Sequence, residues 1–151
     1  MVDTQRTLVL IKPDGIQRGI ALAILSRFER RGLRIAALKL VHPSTTLAEE
    51  HYAEHRERPF FRKLVSYITS SPVVAVVLEA PEAVSIVREL IGKTNPVQSA
   101  AGTIRADFGV TVDFNLIHGS ASVTDAEREI ALWFRPEEIF AYSRAIDAWV
   151  W

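Results

Sequence analysis

Ser71-Pro72-Val73-Val74-Ala75-Val76-Val77-Leu78 is the stretch that decides the architecture. Proline cannot donate to a strand ladder, so a strand begins after Pro72. Its apolar residues then run on without alternation, which marks a central strand covered on both faces. Moving outward, Thr7–Ile11 is a second aliphatic run, ending at Pro13-Asp14-Gly15 in a turn. Leu33–Val41 reads as another strand. Val110–Leu116 alternates, with Val110, Val112, Phe114 and Leu116 on one side, and reads as a fourth. Between them, Ile20, Ile24, Leu25 and Phe28 follow helical spacing up to Gly32. Ser44-Thr45-Thr46 caps a helix running to about Arg58, and Pro59-Phe60-Phe61 opens another to about Thr69. Pro81 stands at the first position of a helix to Ile91, Thr124–Glu127 reads as a capping box, and Pro136 opens a last helical segment. The sum is an α+β sandwich of four strands and covering helices.

Composition narrows the function classes. The 151 residues read as one domain spanning 1–151. Eighteen basic and 18 acidic side chains cancel, against a duplex nucleic acid or an anionic membrane as whole-surface partner. The Arg27, Arg30, Arg31, Arg34 cluster is interleaved with Glu29 and reads as a solvated helix face. Absence of cysteine removes disulfides, thiol nucleophiles and thiolate zinc sites. No run approaches the ~20 apolar residues of a membrane span, and the polar start lacks an apolar leader core, so a cytoplasmic location is expected.

Four histidines are available: His42, His51, His55 and His118. H-Y-A-E-H (His51–His55) matches a zinc-helix pattern, but such a site needs a third protein ligand and a cleft, and the zinc reading is rejected. His118 stands in N-L-I-H-G-S (Asn115–Ser120), where a strand end meets a capped helix and ligand groups are presented. In that following helix Ala126, Ile130 and Trp133 mark the buried stripe, and Glu129 lies about 40° from Trp133. Its carboxylate can turn inward, bond one nitrogen of His118 and leave the other as a nucleophile. Lys12, Arg88, Thr94 and Arg105 are groups able to meet a polyphosphate. Neither G-x-x-x-x-G-K-[ST] nor G-x-G-x-x-G occurs, so phosphate binding here rests on dispersed side chains.

At these residues the chain resembles the nucleoside diphosphate kinases. The blocks run in order: T-L-V-L-I-K-P-D-G (Thr7–Gly15), R-F-E-R-R-G (Arg27–Gly32), H-Y-A-E-H, R-P-F-F (Arg58–Phe61), S-P-V-V-A-V-V, T-N-P (Thr94–Pro96), G-T-I-R-A-D-F-G (Gly102–Gly109) and N-L-I-H-G-S. The resemblance implies a ferredoxin-like fold, a four-stranded antiparallel sheet covered by helices. It implies ping-pong transfer of a γ-phosphoryl from a nucleoside triphosphate to a diphosphate through phosphohistidine at His118. It assigns Glu129, supported by Ser120, to orienting that ring, and Arg88, Thr94 and Arg105 to the phosphates. Lys12 and Asn115 match ribose ligands, with Tyr52 positioning the lysine; Phe60 and Val112 match the groups flanking the base. Mg²⁺ is expected mainly on the nucleotide phosphates, with no protein metal site.

Gripping the base by stacking, without bonds to its edge, predicts broad base tolerance. Family members are hexamers or tetramers, and the chain length, T-N-P loop and segment Tyr142–Trp151 resemble the hexameric type. Trp149 and Trp151 are expected to dock on the fold or on a neighbour. Three positions depart from the common pattern: Ala121 where Asp is usual, Phe114 for a frequent Arg, and Ala101 for a frequent Pro. Ala121 is the one change that favours a catalytically silent nucleotide-binding protein instead.

Overall fold

β1 (Gln5–Ile11), β2 (Arg34–Val41), β3 (Val73–Ala80) and β4 (Ile117–Gly119) pair antiparallel in the order β2-β3-β1-β4. This is the ferredoxin-like α+β sheet, seen in a computed structural model that describes residues 2–151. The helices are α1 (Pro13–Gln17), α2 (Ala21–Arg31), α3 (Thr45–His51), α4 (Phe61–Ile68), α5 (Ala83–Ile91), α6 (Ile104–Phe108) and α7 (Val123–Trp133). None among the described residues is long and apolar enough to cross a membrane.

The unbroken apolar runs have a simple cause. Side chains alternate across a strand, and both faces of this sheet are covered. Val9 and Ile11 enter one core with Ile24, Phe28 and Val87, under α2 and α5. Leu8 and Leu10 enter the other with Ala48, Val65 and Trp133, under α3, α4 and α7.

Gly32 ends α2 at φ 106°, where its N–H and that of Leu33 reach the carbonyls of Glu29 and Phe28. A side chain at Gly32 would strike Val150, because the C-terminal segment lies directly over it. Arg34 bonds Glu79 and Asp147 there and lies 4.9 Å from the Trp151 ring centroid, while the Trp151 indole donates to the Gly32 carbonyl at 3.1 Å. Trp151 is therefore docked, but Trp149 is 90% exposed on this chain. Arg27 pairs with Asp107, so half of the arginine cluster is neutralised internally, while Arg30 and Arg31 are exposed.

Several boundaries move. Val110, Val112 and Phe114 are all exposed and precede or sit in a 3-10 turn (Val112–Phe114); the fourth strand is instead Ile117–Gly119. Alternation misled because three of its four apolar residues face outward and only Leu116 is buried. β4 is defined by three pairings to β1, Val9–Gly119, Leu10–His118 and Ile11–Ile117, which no local pattern records. The α7 cap is Ser122, whose hydroxyl accepts from the Asp125 N–H, not Thr124. α5 starts at Ala83, two residues beyond Pro81, and α3 ends at His51 with a 3-10 turn (Ala53–His55) following. Pro136 opens only a 3-10 turn.

Candidate active site

Period-2 alternation in β4 sets the site. Ile117 points into the core beneath α5, and a side chain at Gly119 would sit 2.7 Å from Ile91 Cδ1, so the strand lies close against that helix and a larger residue would require Ile91 to shift. His118, between them, faces the opposite side, beneath α3 and α7. Its Nε2 lies 2.8 Å from Glu129 Oε1. Ser120 Oγ donates to the same oxygen at 2.7 Å and itself accepts from the Leu8 N–H at 3.2 Å. Burial pushes the Glu129 pKa up, but the bonds from His118 and Ser120 and the charge of Arg128 outweigh it and hold the carboxyl below its ordinary range. An ionised carboxylate only accepts, so the proton rides on Nε2. Nδ1 has no protein hydrogen-bond partner among the described residues.

Cationic groups gather along the backbone of residues 115–119. Lys12, between β1 and α1, donates from Nζ to Asn115 Oδ1 at 2.8 Å. Burial, then the neighbouring Arg105 guanidinium, lowers its pKa to about 7 against the opposing pull of Asp14. Arg105, buried on α6, donates to the carbonyls of Asn115 at 3.1 Å and Ile117 at 2.6 Å. Burial, then Arg88, lowers its pKa to about 10. Arg88, exposed on α5, reaches the Gly119 carbonyl at 3.4 Å. Asn115 Nδ2 donates to the Thr94 carbonyl at 3.1 Å. Five of the residues expected at the phosphate and ribose positions thus share one hydrogen-bonded neighbourhood with His118.

Phe60 and Val112 are both exposed, on elements joined by a Lys63–Asp113 ion pair of 2.9 Å. Tyr52 is buried, but its hydroxyl has no partner, so the Lys12 ammonium is held by Asn115 and not by Tyr52. Ala101, Phe114 and Ala121 are all exposed.

Two contributors escape a sequence reading. Asp14 accepts from the Leu116 N–H at 3.1 Å and also bonds the Tyr67 hydroxyl; its partners lie far away in the chain, so no local signal marks it. His51 packs on His118 and Trp133. It is buried, accepts from Trp133 Nε1 at 3.1 Å, and joins His118 and Glu129 in a group whose ligand atoms lie within 4.8 Å.

A family model described as nucleoside diphosphate kinase matches residues 5–139. The chain belongs to the nucleoside diphosphate kinase family. It is 62% identical over 135 residues to the nucleoside diphosphate kinase of Thermus thermophilus, covering 89% of this chain and 98% of that protein. It is 54% identical to the Gloeobacter violaceus kinase, covering 97% and 99%. The structure of a halophilic nucleoside diphosphate kinase from Halobacterium salinarum in complex with CDP superposes with a TM-score of 0.96 at 46% identity, over 99% of both chains. A nucleoside diphosphate kinase family protein from Babesia bovis superposes at 0.95, with 48% identity over 97% and 99%. Membership in the nucleoside diphosphate kinase family makes the chain a phosphotransferase.

Proposed function

We propose that the chain moves the γ-phosphoryl group of a nucleoside triphosphate to a nucleoside diphosphate through a phosphohistidine at His118. The observation that carries this is the 2.8 Å bond from His118 Nε2 to Glu129, which leaves Nδ1 bare on a segment whose flanking groups are held by Lys12, Arg88 and Arg105. In the first half-reaction the Nδ1 lone pair forms a bond to Pγ as the bond from Pγ to the β,γ-bridging oxygen breaks. The diphosphate leaves with that electron pair. Positive charge accruing on the ring faces the Glu129 carboxylate, and the Nε2 proton stays between them. A second diphosphate then attacks the same phosphorus and restores the free imidazole.

Little covalent work falls to the protein beyond aligning the nucleophile and neutralising the moving oxygens. Arg88, Arg105 and Thr94 serve the phosphates; Lys12 and Asn115 serve the ribose hydroxyls, Lys12 also approaching the phosphates. Phe60 and Val112 flank the base.

The donor set also bears on Mg²⁺. Asp14 is engaged by Tyr67 and the Leu116 N–H, and Glu129 by His118 and Ser120. What remains is cationic and amide, suited to phosphate oxygens, whereas Mg²⁺ demands oxygen ligands. Mg²⁺ accordingly enters as part of the nucleotide, on its phosphates, and supplies neutralising charge there.

We also read the chain as a single functional domain assembling into a homo-oligomer, a hexamer rather than a tetramer. The exposed Leu38 and Leu40 on edge strand β2 support an oligomer. Light scattering measures its mass. A cytoplasmic location accompanies these substrates.

Incubation with γ-labelled MgATP tests the mechanism. The expected result is an acid-labile, base-stable label, discharged by added diphosphate and missing in His118→Ala, which still binds nucleotide. Tight nucleotide binding without label would leave the silent binding protein.

A further inference from the structure

Trp133 Nε1 and His51 Nδ1 are 3.1 Å apart in a buried setting on α7 and α3. An indole nitrogen only donates, so this bond requires a lone pair on His51 Nδ1. The proton of a neutral His51 must then sit on Nε2. A protonated His51 would carry a hydrogen on both nitrogens and leave the Trp133 donor facing another donor. The pair therefore locks both the tautomer and the charge of His51.

The locked ring meets the nucleophile. His51 and His118 have centroids 4.6 Å apart and ring planes at 80°, the edge-to-face arrangement that aromatic pairs prefer. Tyr52 packs on His51 in the same way at 4.7 Å, and Trp133 at 5.6 Å, so His51 is fixed by three aromatic neighbours.

We propose that His51, held by Trp133, is a positioning residue for His118. Its neutral ring closes one side of the nucleophile against rotation and keeps a second positive charge away from the imidazole while phosphoryl transfer builds charge there. This rests on the reading of His118 as the phosphoryl carrier. The titratable and charged groups facing the pair are Glu129 and Arg128 from α7, Lys12 between β1 and α1, and Tyr52 and His55 following α3. Burial, followed by the charges of His118, Arg128, Lys12 and His55, depresses His51 protonation well below the ordinary imidazole range, in the direction that the Trp133 bond requires.

The test starts from the unaltered protein. Nitrogen-15 spectra of its imidazoles should show His51 neutral and protonated on Nε2 from pH 5.5 to 8. Titration of His51 in that window, or a proton on its Nδ1, overturns the inference. Trp133→Phe keeps an aromatic ring but removes the donor. His51→Asn keeps an amide oxygen able to accept from Trp133, with no ring and no titration, and guards against a Trp133 variant that fails to fold. For both, rapid-quench labelling of His118 should slow by about tenfold or more, with nucleotide KM changed less than twofold. Trp133→Phe should also shift the acid limb of the rate profile toward neutral pH, while His51→Asn should not. Rates and profiles in both variants that match those of the unaltered protein overturn the inference alone. If the unaltered protein takes no label on His118, the carrier reading falls, and this inference with it.

Discussion

Leu116 adopts φ 72°, and Asp14 Oδ2 accepts its N–H at 3.1 Å. A buried leucine in the left-handed region is strained, by about 1–3 kcal/mol, and persists only where its surroundings enforce it. Here the enforcement is double: the Leu116 carbonyl also accepts from the Lys12 N–H at 2.8 Å. Since Asn115 and Ile117 flank it, this one residue sets the turn by which the chain passes from Asn115, bonded to Lys12, into the strand that carries His118.

Removing the clamp should loosen both. Asp14→Ala is expected to lower stability by about 1–3 kcal/mol, because the buried Leu116 N–H loses its acceptor. It should also reduce phosphoryl transfer. Denaturant melts and steady-state rates check this, and unchanged values for both would remove Asp14 from the site's support.

Glu129→Ala leaves His118 Nε2 and Ser120 Oγ without their shared acceptor. The ring loses its aim, and transfer should fall by about 10- to 100-fold with little change in nucleotide affinity. Glu129→Gln, which retains an acceptor but not the charge, should fall between. A rate unaltered in Glu129→Ala would sink its orienting role.

Lys12 makes nucleotide binding pH-linked. With its pKa lowered to about 7, mainly by burial, the lysine is largely neutral at pH 8 in the free protein. A bound polyphosphate favours the charged form and raises that pKa, so binding at pH 8 should take up close to one proton, and at pH 5.5 almost none. Calorimetry in buffers of different ionisation enthalpy measures this; Lys12→Gln should abolish the uptake.

The C-terminal clasp should be acid-sensitive. Burial alone would raise the Glu79 pKa, but bonds from Arg6 and Arg34 hold it below the ordinary 4.5. A carboxyl depressed in the folded state contributes stability above its unfolded pKa and loses it as pH falls through the folded value. Glu79→Gln is therefore expected to lower Tm by about 2–8 °C at pH 7, with the deficit shrinking toward pH 3. A deficit that grows on acidification would contradict the ion-pair account.

Legibility in the sequence followed the range of the interactions. Val73–Leu78 and Thr7–Ile11 announced central strands because full burial leaves no polar face to hide. Glu129 could be aimed inward from helical periodicity alone, since its angle to Trp133 is a property of one helix. The fourth strand was misplaced by several residues, because Val112 and Phe114 imitate a buried face while pointing out. Thr94, Arg88 and Arg105 were nameable as phosphate groups, but their convergence on residues 115–119 depends on α5, α6 and the 92–103 loop packing together.

By itself, then, the chain's order of residues determined the helix faces, the two-sided sheet and the inward turn of Glu129, all of which are set by periodicity and side-chain type within a few neighbours. Only the tertiary structure decided which nitrogen of His118 is free, which partner holds Lys12, and that His51 answers to Trp133 instead of His55. The last two are contacts across 103 and 82 positions, and the first, though it spans only 11, needs β4 and α7 packed on the same side of the sheet. A hydrogen bond over such a span exists only once the two cores have closed around the sheet.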